Sequence, residues 1–281
     1  MDGAHLINLP ARIIEHTYTP KDVILYALGV GATDLKYIYE KQLAVLPSMA
    51  VVLSYPGYWQ QEPQYEIDWQ KNLQAEQSVL FHRPFPVEGT VRGEMVIDAI
   101  VDKGEAKGAL LRAIRKIYNS ETNELLATVR QTSFLRGDGG CGNHGGDLDP
   151  PQVMPEGDPN LVLPIKVPEN LAHIYRLSGD YNPLHIDPEV AKSAGLDAPV
   201  LHGLAVYGMA ARAILKVCLG ERTELLSRLD CRFTSPVFPG DQLEMDLWTE
   251  HDGQALFRLR AANRGVKVID RGRADFRRSS P

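Results

Sequence analysis

The chain has 281 residues, 44% of them hydrophobic, and a formal net charge of −6 at pH 7. This length suffices for one large domain or two of ordinary size, and the apolar content excludes disorder of the whole chain. The negative charge gives no electrostatic reason to expect a nucleic acid partner. The sequence contains no run of about 18 apolar residues, so it does not predict a membrane-spanning helix.

The cysteines and the chain ends bear on the compartment. Cys141, Cys218 and Cys231 form no CxxC pair, which is typical of a reducing compartment. The N-terminus lacks the basic start and long apolar core of a signal peptide. We therefore expect a cytoplasmic protein. A peroxisomal location is the alternative, although the chain ends in Ser279-Ser280-Pro281 and not in an S-K-L type address.

The first half of the chain predicts short helices followed by strands. Helices are predicted at residues 21–29 and 35–42, and an apolar element begins at Pro47. From Gln64 onward apolar and polar residues alternate, as is typical of strands. The predicted strands comprise the alternating stretch that contains Tyr65, Ile67 and Trp69 and the runs 91–101, 107–118 and 124–134.

A segment rich in Gly, Asp and Pro separates the two halves. Residues 137–160 show no apolar period, which predicts a linker or a long surface loop. Cys141 and His144 lie within it, but one cysteine and one histidine do not make a tetrahedral metal site.

The second half repeats the same order of elements. Predicted helices occupy 169–178, 188–194 and 204–219, and predicted strands occupy 227–234, 242–250, 254–262 and 266–276. Short matches support a repeat: YALG at 26–29 corresponds to YRLS at 175–178. We therefore predict an α+β fold with an N-terminal repeat (1–136), a linker (137–160) and a C-terminal repeat (161–281).

The second repeat carries a candidate acid/base pair. Asp180, Asn182 and His185 lie close together in a stretch broken by glycine and proline, and a carboxylate beside an imidazole can move protons. The alternative is a polar loop in which these side chains hydrogen-bond the local backbone. In the repeat alignment Asp180 falls on Gly31 and His185 on Lys36, so one site per chain, in the second repeat, is expected.

The longer context of these residues resembles a known family. YRLSGDYNPLHIDP at 175–188, followed by PVLHGL at 199–204, is similar to the hydratase 2 motif of MaoC-like dehydratases, the (R)-specific 2-enoyl-CoA hydratases. DVILYALGVGATD, LKYIYE and VIDAIVDKG in the first half resemble the non-catalytic repeat of the hydratase 2 part of peroxisomal multifunctional enzyme type 2. The resemblance implies a tandem hot-dog fold, in which each repeat wraps an antiparallel sheet around a helix.

The resemblance also implies roles for individual residues. Asp180 and His185 would be the catalytic pair, Asn182 would shape the site, and the Gly203 N–H would bind the thioester oxygen. Position alone supports the last role, because Gly203 opens a predicted helix whose free N–H groups favour negative charge. A tight packing position is the other interpretation of this glycine.

Further positions match substrate contacts or a glutamate linked to activity. The alternative interpretation is a core position for Phe233, a hairpin turn with an exposed side chain for Lys103 and a structural role in the first half for the glutamate. At 74–75 the chain departs from the family pattern, where His-Gly is usual in the ligand-contacting stretch. The positions that the resemblance assigns to the substrate site are Gln74, Ala75, Lys103, Tyr181, Pro183, Leu184, Phe233 and, with a structural role at least as plausible, Glu40.

The implied reaction is reversible hydration of a trans-2-enoyl-CoA, of medium, long or bulky chain, to a (3R)-3-hydroxyacyl-CoA. No metal or redox cofactor is expected, since His185 and Asp187 lack a third ligand in the sequence and no dinucleotide or serine hydrolase motif is present. The expected partners are the acyl-CoA substrate and a second copy in a homodimer. The alternatives are a hot-dog thioesterase, a non-catalytic acyl-CoA binding subunit, and acyl-carrier protein in place of coenzyme A.

Overall fold

The computed structural model describes residues 1–250 and 253–278, and the C-terminal tripeptide considered above lies outside them. Eleven described strands form one sheet in which all neighbouring strands are antiparallel. They are β1 (Arg12–Tyr18), β2 (Asn72–Phe81), β3 (Gly89–Asp102), β4 (Ala109–Asn119), β5 (Leu125–Leu135), β6 (His144–Gly145), β7 (Leu161–Lys166), β8 (Leu226–Phe233), β9 (Gln242–Glu250), β10 (Gln254–Ala261) and β11 (Val266–Phe276).

The strand order shows the repeat directly. It runs β1-β3-β4-β5-β2-β8-β11-β10-β9-β7, with β6 beside β3. Read outward from the centre, the two halves have the same order of equivalent strands. The halves meet where β2 pairs with β8, with Val79 opposite Leu229. The double hot-dog fold predicted from the sequence is confirmed: two repeats share one continuous sheet.

The described part of the chain contains six α-helices: α1 (Gly3–Ile7), α2 (Pro20–Gly29), α3 (Leu35–Ile38), α4 (Leu171–Tyr175), α5 (Pro188–Ser193) and α6 (Gly203–Leu219). Helix α6 lies at the centre of the core, because apolar residues surround most of it. It ends at Gly220, whose positive φ of 53° is a conformation that glycine adopts at low cost. Gly208 lets α6 approach α2, since a Cβ there would collide with Val30.

The first repeat has no counterpart of the same length to α6. A five-residue 3-10 helix, Pro47–Val51, packs against α6 in its place. It leads into an irregular segment, residues 52–71, that contains three further short 3-10 turns. The two repeats therefore share their strands but differ in the element that the sheet encloses.

The predicted strand around Tyr65, Ile67 and Trp69 is wrong. Tyr65 and Trp69 lie in 3-10 turns, and Tyr65 and Ile67 are buried with Trp59 in a second, smaller core. The alternation reflects packing of an irregular segment onto this core. Strands β1, β2 and β7 were not predicted. In β7 the Pro164 and in β2 the polar residues at 74–78 obscure the strand pattern.

The Gly-rich segment is attached to the first repeat over part of its length. Asp102, at the end of β3, accepts hydrogen bonds from the backbone N–H groups of Gly140 and Gly142 at 3.0 and 2.9 Å. His144 donates its Nε2–H to the Cys141 carbonyl at 2.9 Å and belongs to β6. The side chains of Asp102 and His144 therefore stabilise a loop. Among the residues described, no helix is both long and apolar enough to cross a membrane.

Candidate active site

A cavity of about 380 Å³ lies between the two repeats. This volume is in the range of small-molecule sites, roughly 300–1,000 Å³. The second repeat lines it mainly with apolar residues and the first repeat mainly with polar ones. The apolar wall includes Leu184, Leu196, Val200, Leu201, Leu204, Val206, Phe233 and Val237, and the polar wall includes Tyr55, Tyr58, Gln60, Asn72, Gln74 and Gln131.

Asp180 and His185 both line this cavity, and local turns hold them there. The Asn182 side chain accepts a hydrogen bond from the Leu184 N–H at 3.0 Å and caps the 3-10 turn Pro183–His185. An Asp180 carboxylate oxygen accepts the Asn182 N–H at 3.2 Å. The three residues predicted from the sequence thus form one bonded unit, in which Asn182 shapes the turn that carries His185.

The hydrogen bonds of His185 fix its tautomer. Its Nδ1 lies 2.8 Å from the carbonyl oxygen of Val200, which can only accept, so Nδ1 carries the proton. The other nitrogen, Nε2, then has a free lone pair. Burial lowers the pKa of His185, and the nearby Asp180 carboxylate opposes this effect without reversing it. His185 is therefore a neutral base near pH 7.

A second histidine, which the sequence analysis did not single out as a site residue, lies against the first. The His202 ring stacks on the His185 ring, with centroids 3.7 Å apart and planes inclined by 26°. Its Nε2–H donates to the Asp180 backbone carbonyl at 3.1 Å. Burial first, and the neighbouring His185 second, lower the pKa of His202 to about 3. The His-Gly pair in PVLHGL was the signal that could have indicated it.

Asp180, His185 and His202 could be considered as metal ligands, because one ligand atom from each lies within 4.8 Å of the others. The stacked rings argue against this use, since imidazoles that lie face to face do not direct their lone pairs at one point. Asp187, the other carboxylate considered with His185, caps α5 by accepting the Glu189 N–H at 2.9 Å. The cluster is better suited to proton transfer than to metal binding.

Gly203 lies where the sequence analysis placed it, at the first residue of α6. Its N–H has no partner within the helix, because the first turn of an α-helix leaves its amides free. Gly203 also lines the cavity, and a Cβ built on it would lie 3.4 Å from the ring of Phe233. A partly positive helix end therefore faces the cavity beside Phe233.

Two tyrosines of the first repeat, Tyr55 and Tyr58, line the same cavity as Asp180 and His185. Burial raises the pKa of Tyr55 and Tyr58, and in both cases the Asp180 carboxylate raises it further. Behind them, the buried Arg115 donates to the carbonyls of Ala50 and Val51 at 3.2 and 2.9 Å. The first repeat thus contributes two tyrosine side chains to the wall of the cavity that contains Asp180 and His185.

The remaining predicted positions divide into those inside and those outside the cavity wall. Gln74 and Leu184 line it, as Phe233 does. Ala75 is the extra residue of a β-bulge between Gln74 and Glu76, so the departure from the family's His-Gly falls at an irregular point of β2. Not among the lining residues are the exposed side chains of Lys103, Tyr181, Pro183 and Glu40.

Comparisons with known families support the two-repeat architecture. Residues 152–271 match the MaoC like domain, and residues 16–137 match the MFE-2 hydratase 2 N-terminal domain. The first match contains the acid/base pair and α6. The second contains the 3-10 helix and the polar wall.

Individual relatives agree over nearly the whole chain. A probable enoyl-CoA hydratase 2 from Dictyostelium discoideum is 34% identical over 286 residues, which cover 97% of this chain and 95% of that protein. Mouse peroxisomal multifunctional enzyme type 2 is 33% identical over 92% of this chain but only 36% of its own length. The crystal structure of a MaoC-like dehydratase from Phytophthora capsici superposes with a TM-score of 0.90, at 31% identity, over 100% of both chains. The chain therefore belongs to the MaoC-like dehydratases that carry a hydratase 2 N-terminal domain.

Proposed function

We propose that this protein adds water reversibly to trans-2-enoyl-CoA thioesters and yields (3R)-3-hydroxyacyl-CoA, with Asp180 and His185 as its acid/base pair. The coarser activity, that of a hydro-lyase of the enoyl-CoA hydratase 2 class, follows from membership in the family. The observation that carries the finer proposal is the His185 tautomer. Its free Nε2 and the Asp180 carboxylate lie together at the cavity wall.

The proton transfers balance without an external acid. A water held between Asp180 and His185 loses a proton to Nε2 as its oxygen bonds to the β-carbon. The resulting imidazolium is stabilised by the Asp180 carboxylate and by the Val200 carbonyl, which holds the Nδ1–H. The pair then returns the same proton to the α-carbon. The reverse sequence is dehydration.

The Gly203 N–H supports the charge that develops in between. Addition at the β-carbon places negative charge on the thioester oxygen. A free amide at a helix N-terminus stabilises such charge without reorganisation, because it is oriented before the reaction begins. Phe233, which packs beside Gly203, closes the site on that side.

The first repeat contributes the wall of the acyl cavity in this proposal. Its central helix has only the five residues Pro47–Val51, and the segment that follows brings Tyr55, Tyr58 and Gln60 to the cavity. We therefore propose medium or long enoyl chains as substrates, with coenzyme A as the carrier and Lys103 as a contact for it.

The test follows the ultraviolet absorbance of the conjugated enoyl thioester, with trans-2-decenoyl-CoA and purified protein. Hydration removes the conjugation, so absorbance falls. The product is coupled to an (R)-specific and, separately, an (S)-specific 3-hydroxyacyl-CoA dehydrogenase. We expect absorbance loss with (R)-coupling alone. Absorbance loss coupled only to the (S)-specific enzyme contradicts the stereochemistry.

Two other functions are outcomes of the same test. Release of free thiol from acyl-CoA, detected with a thiol reagent, indicates a thioesterase. Acyl-CoA binding without any turnover, unchanged in Asp180→Asn, indicates a binding subunit. Either result contradicts the proposal.

A further inference from the structure

His202 lies where three parts of the site meet. It is the residue from which α6 begins, and Gly203 follows it directly. Its Nε2–H donates to the backbone carbonyl of Asp180 at 3.1 Å. Its ring stacks on His185 at 3.7 Å between centroids. The His202 side chain therefore contacts the backbone of Asp180 and the ring of His185. His202 also directly precedes Gly203, whose N–H meets the thioester oxygen in the proposed reaction.

We infer that His202 is a positioning residue for hydration, which sets the spacing between the Asp180–His185 pair and the Gly203 N–H. The inference rests on the proposed function, because it assigns a role in that reaction. Its basis is connectivity: the His202 side chain bonds the backbone of Asp180 and stacks on the ring of His185, and so connects both residues to the first turn of α6.

His202 is unsuited to a direct role in proton transfer. Its side chain is 1% exposed and is not part of the cavity wall. Nε2 is used by the Asp180 carbonyl, and Nδ1 is buried with no hydrogen-bond partner. Burial is the largest cause of the lowered pKa of His202, so its ring stays neutral near pH 7.

The surroundings of His202 hold its ring in one orientation. The His185 ring stacks on it, and the Tyr175 ring lies against it at a tilt of 53°, with centroids 4.9 Å apart. Tyr175 in turn packs on Tyr26 of the first repeat, with centroids 6.1 Å apart. These two aromatic contacts restrict the rotation of the His202 ring and so help to fix the position of its Nε2–H. Displacement of a catalytic group by about 1 Å can cost about 100-fold in rate.

Two amide variants separate positioning from packing. In His202→Gln the side-chain amide nitrogen reaches the place of Nε2 and can donate to the Asp180 carbonyl. In His202→Asn the amide reaches only the place of Nδ1. We expect kcat to fall about 100-fold in His202→Asn with KM changed less than about threefold, and kcat of His202→Gln to recover to within about tenfold of wild type. The substrate is trans-2-decenoyl-CoA and the protein is the full chain.

Fold and binding are measured on the same samples. The melting temperature reports folding, and competitive inhibition by saturated decanoyl-CoA reports the cavity. If His202→Asn does not fold, His202→Phe keeps the stacked ring without the donor and is expected to show the same loss of kcat.

The inference is overturned if His202→Asn or His202→Phe, which lack the donor, has the kcat of wild type. It is also overturned if His202→Gln and His202→Asn lose kcat equally while both melt at the same temperature as wild type. In both cases hydration by the wild-type protein leaves the proposed function standing. An inactive wild-type protein contradicts the proposed function itself.

Discussion

The two repeats have the same strand order, but they contribute different kinds of residues to the wall of the cavity. The second repeat encloses the 17-residue helix α6 and supplies Asp180, His185 and an apolar wall. The first encloses a five-residue 3-10 helix and supplies a polar wall. Sheet pairing does not depend on which residues the sheet encloses, so one copy can lose its helix while the strands persist. The strands are therefore common to both repeats, whereas the enclosed element and the loop that contains Asp180 and His185 distinguish them.

The largest expected effect concerns the acid/base pair. We predict that Asp180→Asn lowers kcat by about 10³-fold or more, since general acid/base catalysis contributes about 10²–10⁴-fold. Lys36→Met changes the position in the first repeat that corresponds to His185, and we expect activity within about twofold of wild type. The measurement is hydration of trans-2-decenoyl-CoA. An equal loss in both variants would remove the functional difference between the repeats.

Gly203→Pro tests the amide at the start of α6. Proline is tolerated at the first helical position, and the φ and ψ of His202, −55° and 131°, are compatible with a following proline. The substitution removes one N–H, and we predict a loss of about 100-fold in kcat. Gly203→Ala keeps the N–H and places its Cβ at ordinary contact distance from Phe233, so it serves as the control. Equal kcat in the two variants would exclude the oxyanion role.

A smaller effect should distinguish substrates by length. Each buried methylene contributes about 0.8 kcal/mol, so two further buried methylenes favour kcat/KM by about tenfold. We therefore predict at least about tenfold higher kcat/KM for trans-2-decenoyl-CoA than for crotonyl-CoA. Asn72→Phe enlarges a side chain on the wall of the first repeat and should reduce turnover of the longer substrate selectively. An equal reduction for both substrates would show that this wall does not accommodate the chain.

The smallest effect is on stability against pH. The pKa of His202 is about 3 in the folded protein and about 6.5 when unfolded. The unfolded chain binds the extra proton first, so stability is complete above pH 6.5 and declines as the pH falls toward 3. The decline is about 1.4 kcal/mol per unit, or about 2–4 °C in melting temperature at pH 5.5. Thermal unfolding of His202→Gln should lack this contribution, whereas His82→Gln, at a partly exposed histidine of the first repeat, should retain it.

The sequence allowed prediction of the cluster of Asp180, Asn182 and His185 because these residues are neighbours in the chain. They lie within six positions, and the repeat alignment indicated that the first repeat has Gly31 and Lys36 at the positions of Asp180 and His185. His202 was missed as a site residue because it is 22 positions from Asp180 in the chain, and only the folded structure brings the two residues into hydrogen-bond contact. Tyr55 and Tyr58 were missed for a similar reason, since an irregular segment gives no period from which a side chain's direction could be inferred.

Strand prediction succeeded where one sheet face is buried and failed elsewhere. In β4 buried and less buried residues alternate over most of its length, and the pattern was recognised. In β2, which joins the repeats, the polar residue Gln77 is fully buried and its side chain donates to the Arg130 carbonyl, so polarity does not report exposure there. The centre of the sheet was therefore less predictable than the strands beside it.

The junction of β2 with β8 has a consequence for how such a protein can change. In a dimer of identical chains, every substitution appears on both sides of the shared sheet. A substitution that adapts the wall opposite the reactive residues to a new ligand therefore also changes the subunit that carries those residues. Here each side is encoded separately although the sheet is continuous. Mutation can therefore reshape one wall while leaving the opposite one untouched, and selectivity and chemistry can evolve as independent traits within a single polypeptide.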